Sequence, residues 1–168
     1  GKYKIEKLIE YREKLYTIIP LLSLDNKIVD LIRFREVKCY LPVDAIIMAG
    51  GKGERLYPLT KDIPKPLLKV GKKPIIEHNI DRLSLFGINN IWISINYLGD
   101  KIEHYFGDGS SKNINISYVR EKIPMGTIGA LSQIKNLEHE YLIILNSDLL
   151  NNFNYYIFFL FFTKKSAD

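Results

Sequence analysis

The sequence predicts an α/β protein built on a mostly parallel sheet with helices on both faces. Three observations predict it. Short apolar runs recur along the chain at Val43–Met48, Ile91–Ile95, Ile114–Val119 and Tyr141–Leu145. Segments with helical spacing of apolar residues lie between them. The runs are continuous rather than alternating, as strands covered on both sides must be.

Each element can be justified in chain order. Ile5, Leu8, Ile9 and Leu15 fall near helical spacing, so the N-terminal stretch through Tyr16 reads as an amphipathic helix. "TIIPLLSLDNKIVDLI" places two β-rich runs around Asp25-Asn26, a hairpin-type turn. With the polar "RFREV" these make a small unit over residues 1–41, and Pro42 marks the boundary to a larger one over 42–168. The clearest helix, Pro74 to Phe86, opens on a proline and closes at Gly87, as helix ends prefer. Further helices are expected through "DKIEHYF", "TIGALSQIK" and the Phe-rich tail. The run "YYIFFLFF" (155–162) falls far short of the ~20 residues needed to cross a bilayer, and is expected as a core helix covered by the rest of the protein.

Bulk properties narrow the function classes. At 168 residues and 46% apolar content the chain can bury one sizeable core. The net charge of +5 is scattered, without a block of like charges, so the clustered footprint of nucleic-acid binding is missing and no nucleic-acid partner is expected. Cys39 is the only cysteine, which excludes an internal disulfide and fits a reducing compartment. The N-terminus is charged throughout, unlike a signal peptide, so a cytoplasmic protein with no membrane partner is expected.

Chemistry concentrates in "AIIMAGGKGERLYPLTKDIPKPLL", Ala45 to Leu68. Gly50, Gly51 and Gly53 follow the first strand of the larger unit directly. A loop without side chains can bring its N–H groups close to phosphate oxygens, and in parallel sheets ligands bind beyond the carboxyl ends of strands. Arg55 adds a permanent cation with a planar fork of donors. The spacing fits neither a Walker loop, which needs a lysine followed by a hydroxyl, nor a Rossmann fingerprint, whose third glycine is replaced by Leu56. The glycines alone do not separate a phosphate cradle from a plain surface turn. Lys65 stands between Pro64 and Pro66, with Leu67 and Leu68 as anchors. Proline restricts itself and pushes the preceding residue toward an extended shape, so this lysine is held where a surface lysine wanders. Asp148 follows the apolar strand "YLIIL" at its carboxyl end; by itself it fits a metal ligand or a strand-end turn. His78, His104 and His139 show no ligand spacing with Cys39.

The stretch "IIMAGGKGERLYPLTKDIPKPLLKVGKKPIIEHNIDRL" resembles the signature of the sugar-phosphate nucleotidyltransferases. "EKIPMGTIGAL" is similar to that family's base-recognition segment, and "LIILNSDLL" to its metal-binding strand end. The resemblance spans Val43 to the C-terminus. It implies a Rossmann-like, GT-A-like core and an enzyme that joins a nucleoside triphosphate to a sugar 1-phosphate, releasing pyrophosphate. Carried across, Ala49, Gly50, Gly51, Gly53 and Arg55 would cradle the triphosphate. Arg55 and Lys65 would serve catalysis, Lys65 near the transferring phosphorus or the sugar phosphate, and Asp148 would hold Mg²⁺. Glu121 and Gly126 would meet the base. An ionised Glu only accepts, which suits the N–H groups of guanine or the single ring N–H of uracil or thymine, with guanine favoured. "IIPLLSLDNKIVDLIRFREV" resembles the closing half of a CBS repeat, a module fused in front of guanylyltransferase-like members.

The chain ends at Asp168, one helix beyond the Asp148 strand, whereas family members continue. A C-terminally truncated nucleotidyltransferase domain is therefore expected. Its exposed strand edges and apolar surface would favour self-association into a homo-oligomer, or it would bind nucleotide without turning over. The alternative is a nucleotide-binding regulatory module without catalysis.

Overall fold

The computed structural model describes residues 7, 10, 11, 14, 16–33, 41–120 and 129–165, the last two of these by backbone alone. Most of the expected N-terminal helix lies outside the described residues, as do Cys39, Glu121 and Gly126. The hairpin is present: β1 (Ile18–Leu22) pairs antiparallel with β2 (Ile28–Arg33). Asn26 supplies the left-handed residue of its turn at φ 58, a conformation asparagine tolerates better than most.

After Pro42 the chain forms β3 (Val43–Met48) and continues through the glycine loop into a two-residue ribbon, β4 (Lys69–Val70) against β5 (Lys73–Pro74). Helix α1 (Ile75–Leu85) follows at once. Ile76, Ile80 and Leu83 form its buried stripe, and Gly87, at φ 74, turns the chain away from the helix end. Strand β6 (Asn90–Ile95), helix α2 (Gly99–Phe106), strand β7 (Asn115–Arg120), strand β8 (Tyr141–Asn146) and helix α3 (Tyr155–Lys165) complete the described elements.

The four long strands form one parallel sheet in the order β7-β6-β3-β8. Its register sets Ile116, Ile91, Ala45 and Ile143 in one row across the sheet. That row belongs to the main core, where Val43, Ala45, Ile47, Ile91, Ile93 and Ile95 meet buried residues of α1, α2 and α3. The opposite face carries a thinner layer, with Ile46 and Val119 against Ala130 and, around them, Trp92, Leu131 and Ile134. The strands are therefore apolar on both sides, as their composition requires.

Two expectations are corrected. The helix expected through "TIGALSQIK" begins outside the described residues; Gly129 is helical and Ala130–Gln133 form a 3-10 turn packed on the thinner face. Helix α3 is not a covered core helix. Tyr155 is buried at 1% exposure, but Ile157, Phe158, Phe161 and Phe162 are exposed, because β8 is the sheet's edge strand and nothing described lies beyond it. Lys65 is not extended but opens a 3-10 turn, Lys65–Leu67. Pro66 is tolerated there because the first positions of such a turn need no N–H donor.

Candidate active site at the switch point of the sheet

Strand order decides where a crevice opens. From β3 the chain moves outward to β6 and β7, then returns to β8 on the other side of β3. The carboxyl ends of β3 and β8 thus flank the point where the connection reverses, the usual ligand position in open parallel sheets. The glycine loop leaves β3 at this point, and Asp148 stands two residues beyond β8.

The glycine loop lines a cleft of about 550 Å³ formed by Gly50, Gly51, Lys52, Gly53, Glu54, Arg55, Leu56, Lys65 and Asn96. Ala49 is buried at its root, its N–H bonded to the Ser94 carbonyl of β6 at 2.8 Å. Gly53 has φ 66, and a Cβ there would stand 3.0 Å from side-chain carbons of both Thr60 and Lys65. Only glycine suits this position. Gly53 also caps the 3-10 turn Glu54–Leu56, which presents the exposed Arg55 at the cleft.

Lys65 is fixed from both sides. Pro64 and Pro66 are buried, Leu67 packs against the main core, and the Leu67 N–H bonds the Pro64 carbonyl at 2.8 Å. Its ammonium forms an ion pair with the Asp148 carboxylate. The hydrogen bond from Lys65 holds the Asp148 carboxyl below its ordinary range, outweighing the opposing effect of burial. Asp148 is in turn held through its neighbour. The Ser147 N–H bonds the Met48 carbonyl of β3 at 3.1 Å, and the buried Asn79 of α1 bonds the Ser147 carbonyl at 3.3 Å. Below, Arg82 of the same helix makes two bonds to the Phe153 carbonyl, at 3.2 and 3.0 Å.

Of the residues singled out in the sequence, Gly50, Gly51, Gly53, Arg55 and Lys65 share one cleft, Ala49 lies at its base, and Asp148 joins it through Lys65. Glu121 and Gly126 lie outside the described residues; the strand leading to them, β7, is at the far end of the same rim. The histidines stand apart: His78 contacts the Val70 carbonyl, and His139 contacts buried Asp44 at the opposite end of β3. Sequence reasoning missed Lys52, Glu54 and Asn96 as cleft residues, and Asn79 as a support of the Asp148 loop. Asn96 carried a usable signal, since it follows an apolar strand directly, as Asp148 nearly does.

Comparison with known proteins gives this arrangement its setting. Residues 44–168 match the family profile described as nucleotidyl transferase. Mannose-1-phosphate guanylyltransferase of Mycobacterium tuberculosis is 36% identical over 110 residues, covering 65% of this chain and 31% of the relative. N-acetylmuramate alpha-1-phosphate uridylyltransferase of Neisseria meningitidis serogroup B is 39% identical over 115 residues, covering 66% and 49%. A Bacillus anthracis crystal structure, assigned as a glucose-1-phosphate thymidylyltransferase in complex with a sucrose, superposes with a TM-score of 0.64. It is 28% identical and covers 73% of this chain and 50% of its own. The match thus spans from 31% to 49% of the length of these two curated relatives. The profile match begins at Asp44, inside the first strand of the parallel sheet, and takes in the glycine loop, the bracketed lysine and the late aspartate alike; the chain belongs to the nucleotidyl transferase family.

Proposed function

We propose that the protein serves transfer of a nucleoside monophosphate from an NTP, GTP favoured, to a sugar 1-phosphate, giving an NDP-sugar and pyrophosphate. One observation carries the reading. A glycine-lined cleft, a proline-bracketed lysine and a distant carboxylate meet at the switch point of a parallel sheet. The relatives' names, a guanylyltransferase and a uridylyltransferase each named for a sugar 1-phosphate, support the substrate class.

In this reading a phosphate oxygen of the sugar 1-phosphate attacks the α-phosphorus of the NTP. The bond to the α,β-bridging oxygen breaks, and pyrophosphate leaves with that electron pair. Both reactants are anions, so their repulsion is the first obstacle, and fixed cations lower it most where charge develops. The loop N–H groups of Gly50, Gly51 and Gly53 receive the polyphosphate, and Arg55 neutralises the departing β,γ-phosphates. Lys65 exchanges its Asp148 partner for a phosphate oxygen of the sugar 1-phosphate. Glu121 and Gly126 meet the base. No covalent enzyme intermediate is required.

Asp148 is assigned to Mg²⁺. Among the described residues no group of three His, Cys, Asp or Glu gathers to cage an ion. A single ionised carboxylate beside a polyphosphate cleft still fits Mg²⁺, which takes most of its ligands from phosphate and water. When bound, the ion supplies charge neutralisation and polarisation of a phosphoryl oxygen. No helix among the described residues is long and apolar enough to cross a membrane. We place the reaction in the cytoplasm, and assign the apolar edge of the sheet to self-association.

The test is pyrophosphate release by the protein in its full encoded length, given GTP, UTP or dTTP with several sugar 1-phosphates and Mg²⁺. Release in one pairing, strongest with GTP, is expected. Tight nucleotide binding with no release in any pairing would favour a regulatory nucleotide-binding module instead.

A further inference from the structure

The turn between β6 and α2 reaches across to the segment that follows the glycine loop. Its shape is set by Gly99, where a Cβ would stand 3.0 Å from the Ile95 Cβ. Helix α2 therefore starts hard against the strand end. Leu98 is held in the left-handed region at φ 51, and the Gly99 N–H bonds the Asn96 carbonyl at 3.1 Å. Leucine takes that conformation at a cost, so the turn is maintained by its surroundings.

This turn places the half-buried Tyr97 against residues 60–62. Its hydroxyl proton is shared between the Lys61 carbonyl at 3.0 Å and the Thr60 carbonyl at 3.3 Å. The Lys101 ammonium, farther into α2, bonds the next carbonyl, that of Asp62. Three consecutive carbonyls are thus held from one side. Thr60, 3% exposed, passes the constraint inward. Its Oγ1 donates to the Gly53 carbonyl at 3.0 Å, and its methyl carbon fills the space beside the Gly53 Cα. A peptide unit is planar, so fixing the Gly53 carbonyl also fixes the Glu54 N–H on its opposite side, within the cleft-lining loop.

We propose that Tyr97, acting through Thr60, is a positioning residue that sets the glycine loop in its polyphosphate-binding shape. The proposal rests on the reading of that loop as a phosphate cradle. A loop with three glycines has much freedom to lose on binding; an external brace removes that loss in advance. Neither Tyr97 nor Thr60 lines the cleft, so their contribution is to the loop and not to the ligand.

Inorganic tripolyphosphate, which has no base to read, is the probe, with binding followed by calorimetry on the whole chain. Tyr97→Phe and Thr60→Val each weaken its binding by about tenfold, the scale of one hydrogen bond. Thr60→Ser, which keeps the hydroxyl, restores binding to within about threefold of wild type. The control is Tyr118→Phe, which removes a matched bond from a tyrosine hydroxyl to the Gly107 carbonyl at 2.7 Å, away from the cleft. It lowers the melting temperature by about 2–4 °C, as Tyr97→Phe does, with tripolyphosphate affinity unchanged. Wild-type affinity in Tyr97→Phe, or an equal loss in Tyr118→Phe, overturns the brace while leaving the cradle standing. A wild-type chain that takes up no tripolyphosphate overturns the cradle and the brace with it.

Discussion

The ammonium of Lys65 pairs with the carboxylate of Asp148, although 83 positions of sequence separate them. One group is fixed by buried prolines and the other by Asn79 and the end of β3. In the proposed reaction a phosphate would replace Asp148 as the partner of Lys65, and a divalent cation would replace Lys65 as the partner of Asp148.

Replacing members of this cluster should separate their roles. Arg55→Ala and Asp148→Ala are each expected to lower turnover by at least ~10²-fold, the scale for removing one preorganised electrostatic contact. Lys65→Ala is expected to raise KM for the sugar 1-phosphate more than it weakens NTP binding. Steady-state kinetics with both substrates varied will check this; equal losses for the two would contradict the placement of Lys65.

The glycines of the loop differ in what they tolerate. Gly53→Ala puts a methyl group 3.0 Å from two side-chain carbons, at φ 66, and is expected to cost about 1–3 kcal/mol of stability. Gly51→Ala meets nothing within 4 Å and should stay within about 0.5 kcal/mol of wild type. Urea unfolding of the two variants makes the comparison, and similar losses would mean the loop is not held as described.

At the other end of β3, the Asp44 carboxylate is fully buried. It accepts bonds from the Glu138 N–H at 2.7 Å, the His139 N–H at 3.1 Å and the Asn90 side chain at 3.0 Å, with His139 Nδ1 at 2.9 Å. These contacts tie the starts of β6 and β8 to β3. Asp44→Ala orphans several donors at once, and a loss of about 3 kcal/mol or more is expected in equilibrium unfolding. A loss under half of that would show that water replaces the carboxylate.

Stability should fall in acid through Glu77 on α1. Burial pushes its carboxyl up, but hydrogen bonds from Lys112 and Tyr105 together hold it below its ordinary 4.5. The unfolded chain then takes up its proton first. The contribution of Glu77 is complete above pH 4.5 and is lost as the pH falls through the lowered folded value. Lys112 has the opposite sign. Burial works against its charge, but Asp81 and Glu77 raise it above 10.5, so its contribution is complete below that pH and is lost as the pH rises further. Urea midpoints measured against pH should show a shallower acid limb for Glu77→Gln than for wild type. Parallel limbs would remove Glu77 from the account.

Much of the fold was legible because local chemistry repeats. The runs at Val43–Met48 and Tyr141–Leu145 announced buried strands, and both are strands within a residue of those limits. Asp25-Asn26 announced a turn and Asn26 makes it, since asparagine accepts a positive φ. The exposed face of α3 was not legible. A Phe-rich run looks the same whether or not another layer covers it, and coverage is set by the place of β8 at the sheet edge.

The sequence by itself determined which groups are candidates for the chemistry: the glycines and Arg55 that follow a strand, a lysine between two prolines, and an aspartate just past another strand. Those choices depend on neighbours in the chain, through bare backbone, restricted φ and strand-end position. Only the tertiary structure decided which of them meet. Strand order set β8 beside β3 and so brought Asp148 to Lys65, and the turn after β6 brought Tyr97 behind the loop. Such meetings depend on register and packing between distant segments, which no local pattern of residues encodes.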